Sequence, residues 1–233
     1  MKLFRSELMY FLKKQLIAAI LVLGWFTVVF VVSYWVVIYG YADDNMFTLY
    51  LFVILSLPLL IYSYSRWVYQ LSFGHLKITT SLGLAIGVIV FYLAIYYIKK
   101  SFGIHFEPFL FQLLEHTKKT GENLLSFYIV IFMLAPVCEE ILFRGIFLNV
   151  FKSKYSWTLW LGALITSLIL ASFFLIDNHV SLFIESFILA LMRATARIRS
   201  GGLLLPILLH VEAAFMAIVM GGLNSPYQNY IWF

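Results

Sequence analysis

The sequence predicts an all-α fold, a polytopic transmembrane helical bundle of about seven helices with an intramembrane polar cavity. Composition is the first observation: the 233 residues are 63% hydrophobic and 12% charged, whereas a soluble domain is nearer half apolar and a quarter charged. The second is that the apolar residues form long runs, and about 20 residues suffice to cross a bilayer as a helix. The third is that these runs are continuous rather than alternating, which favours helices over the strands of a membrane barrel.

Seven apolar segments are the candidate helices of a single membrane domain, residues 1–233. The sixth segment is short for a full span, which indicates a tilted or partly re-entrant helix. No internal repeat, low-complexity tract or linker divides the chain into further domains. The segments are residues 15–39, 46–64, 82–98, 124–148, 157–176, 181–192 and 203–222.

The connection at residues 99–123 mixes basic and acidic side chains, so it is not itself a span. It is predicted to form a short helix at the membrane surface, with one face toward the lipid. That apolar face would consist of Phe109, Leu110, Leu113 and Leu114.

Basic residues that flank the segments predict the orientation, because cytoplasmic connections carry an excess of Lys and Arg. Placing the N-terminus in the cytoplasm puts most of them on the cytoplasmic side, so we expect a multi-pass protein of the cell membrane. They also account for the net charge of +5, so the lipid bilayer, and no nucleic acid, is the predicted partner. One cysteine, Cys138, excludes an intrachain disulfide. The basic residues are Lys2, Arg5, Lys13 and Lys14 before the first segment, Arg66 and Lys77 before the third, Lys152 and Lys154 after the fourth, and Arg193, Arg197 and Arg199 after the sixth.

Charged residues inside the apolar segments are the candidates for function, because burying a charge in lipid is costly. Glu140 and Arg144 are four residues apart, so on a helix they face each other as an ion pair. Glu139 points about 100° away and has no local partner. In a low dielectric such an acid tends to take up a proton, which suits proton transfer. Spacing therefore predicts Glu139 as acid/base and Glu140 as the anchor of Arg144; the alternative is a purely structural salt bridge.

The same region contains features that fit a polar site. Pro136 lies one turn before Glu140 and loosens the helix, a backbone irregularity tolerated in membranes where it lines a cavity. His210 follows Pro206 by one turn; it is either a site residue or a hydrogen-bonded packing residue. His179 lies near a segment end, where a loop histidine is the simpler interpretation. Two further acids, Glu185 and Glu212, either face the cavity or bond to neighbouring helices.

Together, an acid pair, a basic partner and two histidines suit the activation of water by a glutamate, with imidazoles to position the water and steady an oxyanion. We predict no cofactor and no metal, although Glu and His can also ligate a metal. The chain has no His-Glu-x-x-His motif and no Gly-x-Ser-x-Gly elbow, and Cys138 has no histidine beside it. Serine and cysteine proteolysis are therefore not supported.

Two stretches carry a family resemblance. Glu-Glu-x-x-x-Arg-Gly at 139–145 resembles the first motif of the CPBP family, the CAAX proteases and bacteriocin-processing membrane proteins, also called the Abi family. The stretch 193–210, a basic turn followed by Gly-Gly and Pro-Ile-Leu-Leu-His, is similar to the family's approach to its last motif. The resemblance covers about residues 124–222, a CPBP-like catalytic core, and leaves the first three segments without a family signal.

The resemblance implies a role for each matching residue. Glu139 would activate water, Glu140 and Arg144 would hold the site in shape, His179 would orient the water, and His210 would belong to the oxyanion site. Two positions depart from the family pattern. Position 175 is Leu where the second motif has Phe, and position 214 is Ala where the third motif has Asn or Asp. Loss of one oxyanion donor costs roughly a hundred- to a thousand-fold in rate, so Ala214 puts full activity in question.

The sequence thus predicts an intramembrane glutamate-dependent endopeptidase that cleaves a membrane-associated, prenylated or exported peptide or protein. Its cavity would lie between the fourth, fifth and last segments. The alternative is a catalytically weak or inactive CPBP-like regulator or bacteriocin immunity protein. It would bind a partner membrane protein such as a sensor or a bacteriocin target. A transporter would also explain charges in the membrane, but no inverted repeat supports it.

Overall fold

The computed structural model describes residues 2–38, 45–103, 108–120, 123–153, 155–175 and 180–224. These residues contain eight helices and no strand. Over its described residues and to within one residue, each predicted apolar segment falls on one helix; residues 39 and 176, the ends of two segments, lie outside the described residues. The eighth helix, α4, lies in the 99–123 connection, and α6 continues into a 3₁₀ turn, Phe173–Leu175. The helices are α1 Lys2–Ile38, α2 Asn45–Trp67, α3 Ile78–Ser101, α4 Phe109–Thr120, α5 Leu124–Val150, α6 Ser156–Ser172, α7 Val180–Ser200 and α8 Leu204–Asn224.

Five of these helices are long and apolar enough to cross a membrane, namely α1, α3, α5, α6 and α8. Helix α2 is also apolar, over Leu51–Trp67 in the part of it whose burial is described. Helix α7 has the length of a membrane span, 21 residues, but it contains too many charged residues to count as an apolar one. The all-helical, multi-span architecture is therefore confirmed, and the count of about seven is approximate.

Helix α7 differs from its prediction because it continues past the apolar segment 181–192 to Ser200. Arg193, Arg197 and Arg199 therefore lie on the helix and not after it. The helix tolerates Arg193 because this side chain is paired with other groups inside the protein. The cost of a charged side chain in a membrane applies to one that faces lipid. Helix α7 packs against α6, and Ala190 and Ala194 are fully buried. Such small side chains let two helix backbones approach closely.

The irregular backbone expected near Pro136 is present in α5. The α-helical stretch Ala135–Glu140 lies between two π-helical stretches, Val130–Leu134 and Ile141–Phe147. Pro136 is buried and has no N–H, so the helix cannot keep an unbroken α-type bonding pattern through this turn. Insertions of π-helix often occur at functional sites. They lie here on both sides of Glu139 and Glu140.

The helix predicted at the membrane surface forms as α4, but its apolar face contacts protein. Leu114 is buried in one cluster with Phe127, Ile131 and Ala214. Phe111 is also buried and lies against Gly221 of α8. Helix α4 thus packs on α5 and α8 as part of the bundle. A face of four apolar side chains fits a protein neighbour as well as it fits lipid, so sequence pattern alone did not separate the two.

One end of the bundle brings together basic residues from distant parts of the chain. Lys14 and Lys152 both lie over the ring of Tyr69, with Nζ 4.7 and 5.4 Å from its centroid. Backbone hydrogen bonds join the loop after α2 to the turn between α7 and α8, such as Leu203 N to Ser72 O at 3.0 Å. The start of α1, the end of α5 and this turn therefore share one end.

Candidate active site

The centre of the site is the carboxylate of Glu140, which is 0% exposed. Arg144 Nε lies 3.5 Å from Glu140 Oε2, an ionic contact that is too long for a hydrogen bond, and both atoms are buried without a hydrogen-bond partner among the described residues. Arg144 is also 0% exposed, and its Nη2 donates to the carbonyl oxygen of Ala190 in α7 at 2.7 Å. The predicted ion pair is confirmed. It also ties α5 to α7.

Glu140 has a second cationic partner, Arg193 of α7, which sequence reasoning missed. Arg193 Nη1 lies 3.1 Å from Glu140 Oε1, and the same Nη1 is hydrogen-bonded to His210 Nδ1. His210 Nδ1 is in turn 3.2 Å from Glu140 Oε1. Three side chains from α5, α7 and α8 therefore meet around one carboxylate oxygen.

A helical-face argument could have found Arg193. Glu185, Leu189 and Arg193 follow one another at intervals of four residues, so they share one face of α7, and all three line the same cavity. Assigning Arg193 to a loop after the sixth segment concealed this pattern.

Glu139 has a different environment from its neighbour in the chain. Its side chain is 32% exposed and lines the cavity, and its Oε2 lies 3.9 Å from His210 Nε2. No hydrogen bond to Glu139 joins it to the Arg193–Glu140 cluster among the described residues. A gap of 3.9 Å between a carboxylate oxygen and an imidazole nitrogen is too long for direct hydrogen bonding. Both atoms can therefore bond a third group in the cavity.

The cavity has a volume of about 300 Å³ and lies where a polar cavity was predicted, between α5, α6 and α8. Helices α3, α4 and α7 complete its wall. Its polar lining comes from Glu139, Glu185, Ser186, Arg193 and His210. Its apolar lining includes Phe109, Leu110 and Leu113 near the start of α4, and Phe173 and Phe174 after α6.

The remaining candidates divide between the cavity and the outside of the site. Glu185 lines the cavity and is paired with Lys99 of α3, with Nζ 2.5 Å from Oε1. Glu212 of α8 does not line it. His179 lies outside the described residues. Ala214 lines the cavity one turn after His210 and is 2% exposed, so this position presents a methyl group where the family pattern has a hydrogen-bonding side chain.

In the portion of the chain that is described, no three His, Cys, Asp or Glu side chains are grouped as a metal site would need. Of the five predicted site residues, the structure brings together Glu139, Glu140, Arg144 and His210. It adds Arg193 to them.

Comparisons with known proteins identify a family and a relative of this chain. Residues 121–216 match the family described as Type II CAAX prenyl endopeptidase Rce1-like. Over 193 residues the chain is 37% identical to a protein of Escherichia coli called "Uncharacterized 24.3 kDa protein", and the match covers 82% of this chain and 88% of that protein. No solved structure matches the chain. The matched region contains every charged and imidazole group that meets around Glu140, and the relative follows the chain over most of its length. The chain therefore belongs to the Rce1-like family of type II CAAX prenyl endopeptidases.

Proposed function

We propose that this protein is an intramembrane endopeptidase in which Glu139 activates a water molecule for attack on a peptide bond. The observation that carries the proposal is the contrast within the glutamate pair. Glu140 is buried between two arginines, whereas Glu139 lines the cavity and lies 3.9 Å from His210 Nε2. Only Glu139 is free to reach a water and a substrate at the same time.

The proposed reaction needs only groups of this chain. Glu139 takes a proton from water as the oxygen attacks the carbonyl carbon of the peptide, and the carbonyl oxygen becomes an oxyanion. His210, on the other side of the gap, stabilises that oxyanion by hydrogen bonding. The C–N bond then breaks, and Glu139 passes its proton to the leaving amine. We also propose that His179 helps to orient the water, as the family pattern implies.

The proposed substrate is a membrane-associated peptide or protein, prenylated or exported. The support is the apolar wall formed by Phe109, Leu110 and Leu113 together with Phe173 and Phe174. An apolar chain seated on this wall would share the cavity with the side chains of Glu139 and His210. We further propose that the end of the bundle that holds Lys14 and Lys152 is cytoplasmic, because cytoplasmic connections are rich in Lys and Arg.

A second candidate function is a regulator or bacteriocin immunity factor that binds a partner membrane protein, such as a sensor, without cleaving it. Ala214 favours it. This side chain is buried against Leu114 and Phe127 and cannot donate a hydrogen bond to an oxyanion.

The test is cleavage of an internally quenched farnesylated peptide ending in a CAAX sequence, and of the same peptide without the lipid, by the protein in lipid nanodiscs. Mass spectrometry of the products identifies the bond. The proposal expects wild-type cleavage that Glu139→Ala and His210→Ala each abolish, at wild-type expression and thermal stability. Cleavage that survives both substitutions contradicts it. A wild-type protein that cuts neither peptide also contradicts it, and favours the regulator.

A further inference from the structure

The hydrogen-bond roles around His210 follow from what each neighbour can do. Arg193 Nη1 lies between Glu140 Oε1, at 3.1 Å, and His210 Nδ1, to which it is hydrogen-bonded. A guanidinium has N–H donors and no acceptor. In its hydrogen bond with Arg193, His210 Nδ1 therefore accepts; its contact with Glu140 Oε1, at 3.2 Å, is the longer of the two that compete for this nitrogen. The contact of Nη1 with Glu140 Oε1 is an ion pair, so the hydrogen bond of Nη1 is the one to His210.

This assignment leaves the ring proton on the other nitrogen. With Nδ1 as an acceptor, a neutral imidazole carries its hydrogen on Nε2, and Nε2 is the nitrogen on the Glu139 side. The charges of the cluster agree with a neutral ring. The groups next to His210 are Glu139 and Glu140 of α5 and Arg193 of α7, and with Arg144 behind Glu140 the two acids balance the two bases. A charged imidazole would add an uncompensated charge to a buried cluster, which is costly.

Without Arg193 the opposite tautomer would be favoured. Glu140 Oε1 is 3.2 Å from His210 Nδ1, within reach of a hydrogen bond. A carboxylate only accepts, so it would draw the ring proton to Nδ1. Nε2 would then become an acceptor on the Glu139 side, and an acceptor cannot stabilise an oxyanion.

We propose that Arg193 is a positioning residue that fixes the tautomer of His210, so that the ring presents an Nε2–H donor to the reacting carbonyl beside Glu139. The catalytic meaning of this assignment rests on the proposed endopeptidase function; the tautomer itself does not. The assignment bears on Ala214, because with a methyl group at that position the donor of His210 carries more of the oxyanion stabilisation.

The experiment is ¹⁵N NMR of histidine-labelled protein in lipid bilayers, with His210 identified among the five histidines by a His210→Gln difference spectrum. We expect a neutral ring protonated at Nε2 in the wild type, and a ring protonated at Nδ1 in Arg193→Met. The matched control is Arg197→Met, one turn further along α7. Arg197 Nε donates to the backbone oxygen of Arg144 at 3.1 Å, and the variant should keep the wild-type spectrum of His210.

Three spectral results would overturn the proposal: a wild-type ring protonated at Nδ1, a doubly protonated ring at neutral pH, or an Arg193→Met ring that keeps its proton on Nε2. The wild-type spectrum decides by itself if Arg193→Met does not fold. These readouts need no activity, so a failed endopeptidase proposal leaves them interpretable.

A kinetic arm tests the positioning role with the quenched farnesylated peptide. Arg193→Met should lower kcat about a hundred-fold and leave KM unchanged, because the donor acts in the transition state. Adding Ala214→Asn to Arg193→Met should restore part of the loss by supplying a second donor. An unchanged kcat in Arg193→Met contradicts the role, as does a fall in kcat without the tautomer change.

Discussion

Glu139 and Glu140 are adjacent carboxylates on one helix, yet Glu140 is completely buried against two arginines while the side chain of Glu139 is 32% exposed in the cavity and faces His210. The helix accounts for the difference, because the side chains of consecutive residues point about 100° apart around its axis. One acid is thereby fixed by charge, and the other can take and return a proton. This division of roles is the basis of the predictions that follow.

Removing Arg144 should destabilise the fold more than removing a surface charge does. Arg144→Leu leaves the buried carboxylate of Glu140 with one cation fewer and removes the side-chain donor, at 2.7 Å, of the carbonyl of Ala190. Breaking a buried pair in this way costs about 3–5 kcal/mol of unfolding free energy. Steric trapping in bicelles measures that free energy directly.

The matched control for Arg144 is Glu115→Gln. Glu115 Oε1 lies 3.5 Å from Lys118 Nζ on α4, and the side chains of Glu115 and Lys118 are 30% and 37% exposed, so the loss should be about 0–1 kcal/mol. Equal losses of unfolding free energy in Arg144→Leu and Glu115→Gln would show that the buried Glu140–Arg144 contact stabilises the fold no more than a surface ion pair does.

Two neighbouring glycines of α8 should respond in opposite directions to alanine. A Cβ on Gly221 would lie 2.2 Å from Cγ of Phe111, whereas one on Gly222 would lie 3.9 Å from Cε2 of the same ring. Gly221→Ala must therefore push α4 away and cost about 1–3 kcal/mol. Gly222→Ala makes an ordinary contact and should gain up to about 1 kcal/mol of helix propensity.

Thermal unfolding of the two glycine variants in detergent checks this order. The melting temperature of Gly221→Ala should fall below the wild type and that of Gly222→Ala should equal or exceed it. If the two variants have the same melting temperature, Phe111 of α4 does not pack against Gly221 of α8 as described.

Chelators should leave the proposed peptide cleavage unchanged. Glu139 activates water by taking its proton, a role for which the mechanism requires no Lewis acid. Treatment with 1,10-phenanthroline, beside a zinc protease as positive control, measures this directly. Activity that disappears on treatment and returns with added Zn²⁺ would favour a metalloprotease instead.

The sequence could predict what local spacing determines. Glu140 and Arg144 are one turn apart on one helix, so their contact follows from helical geometry alone. Pro136 likewise predicts an irregular backbone in the same helix, and two π-helical stretches are found there. The helices themselves follow from the length of the apolar runs.

The sequence could not predict contacts that depend on how helices pack. Arg193 is far from Glu140 in the chain, and only the packing of α7 on α5 brings its guanidinium to 3.1 Å. Its charge suggested a cytoplasmic turn because the rule for basic residues assumes that they avoid the bundle interior. The apolar face of α4 was ambiguous for the same reason, since lipid and the surface of α8 are both apolar.

The most direct test of the account compares the rates at which wild type, Glu139→Gln and Glu212→Gln cleave the farnesylated peptide in nanodiscs. Glu212 is the matched control because it is an acid on α8 that does not line the cavity. We predict that Glu139→Gln lowers kcat by about a hundred- to ten-thousand-fold at unchanged thermal stability, while Glu212→Gln stays near the wild type. Wild-type kcat in folded Glu139→Gln would contradict the claim that Glu139 activates the water.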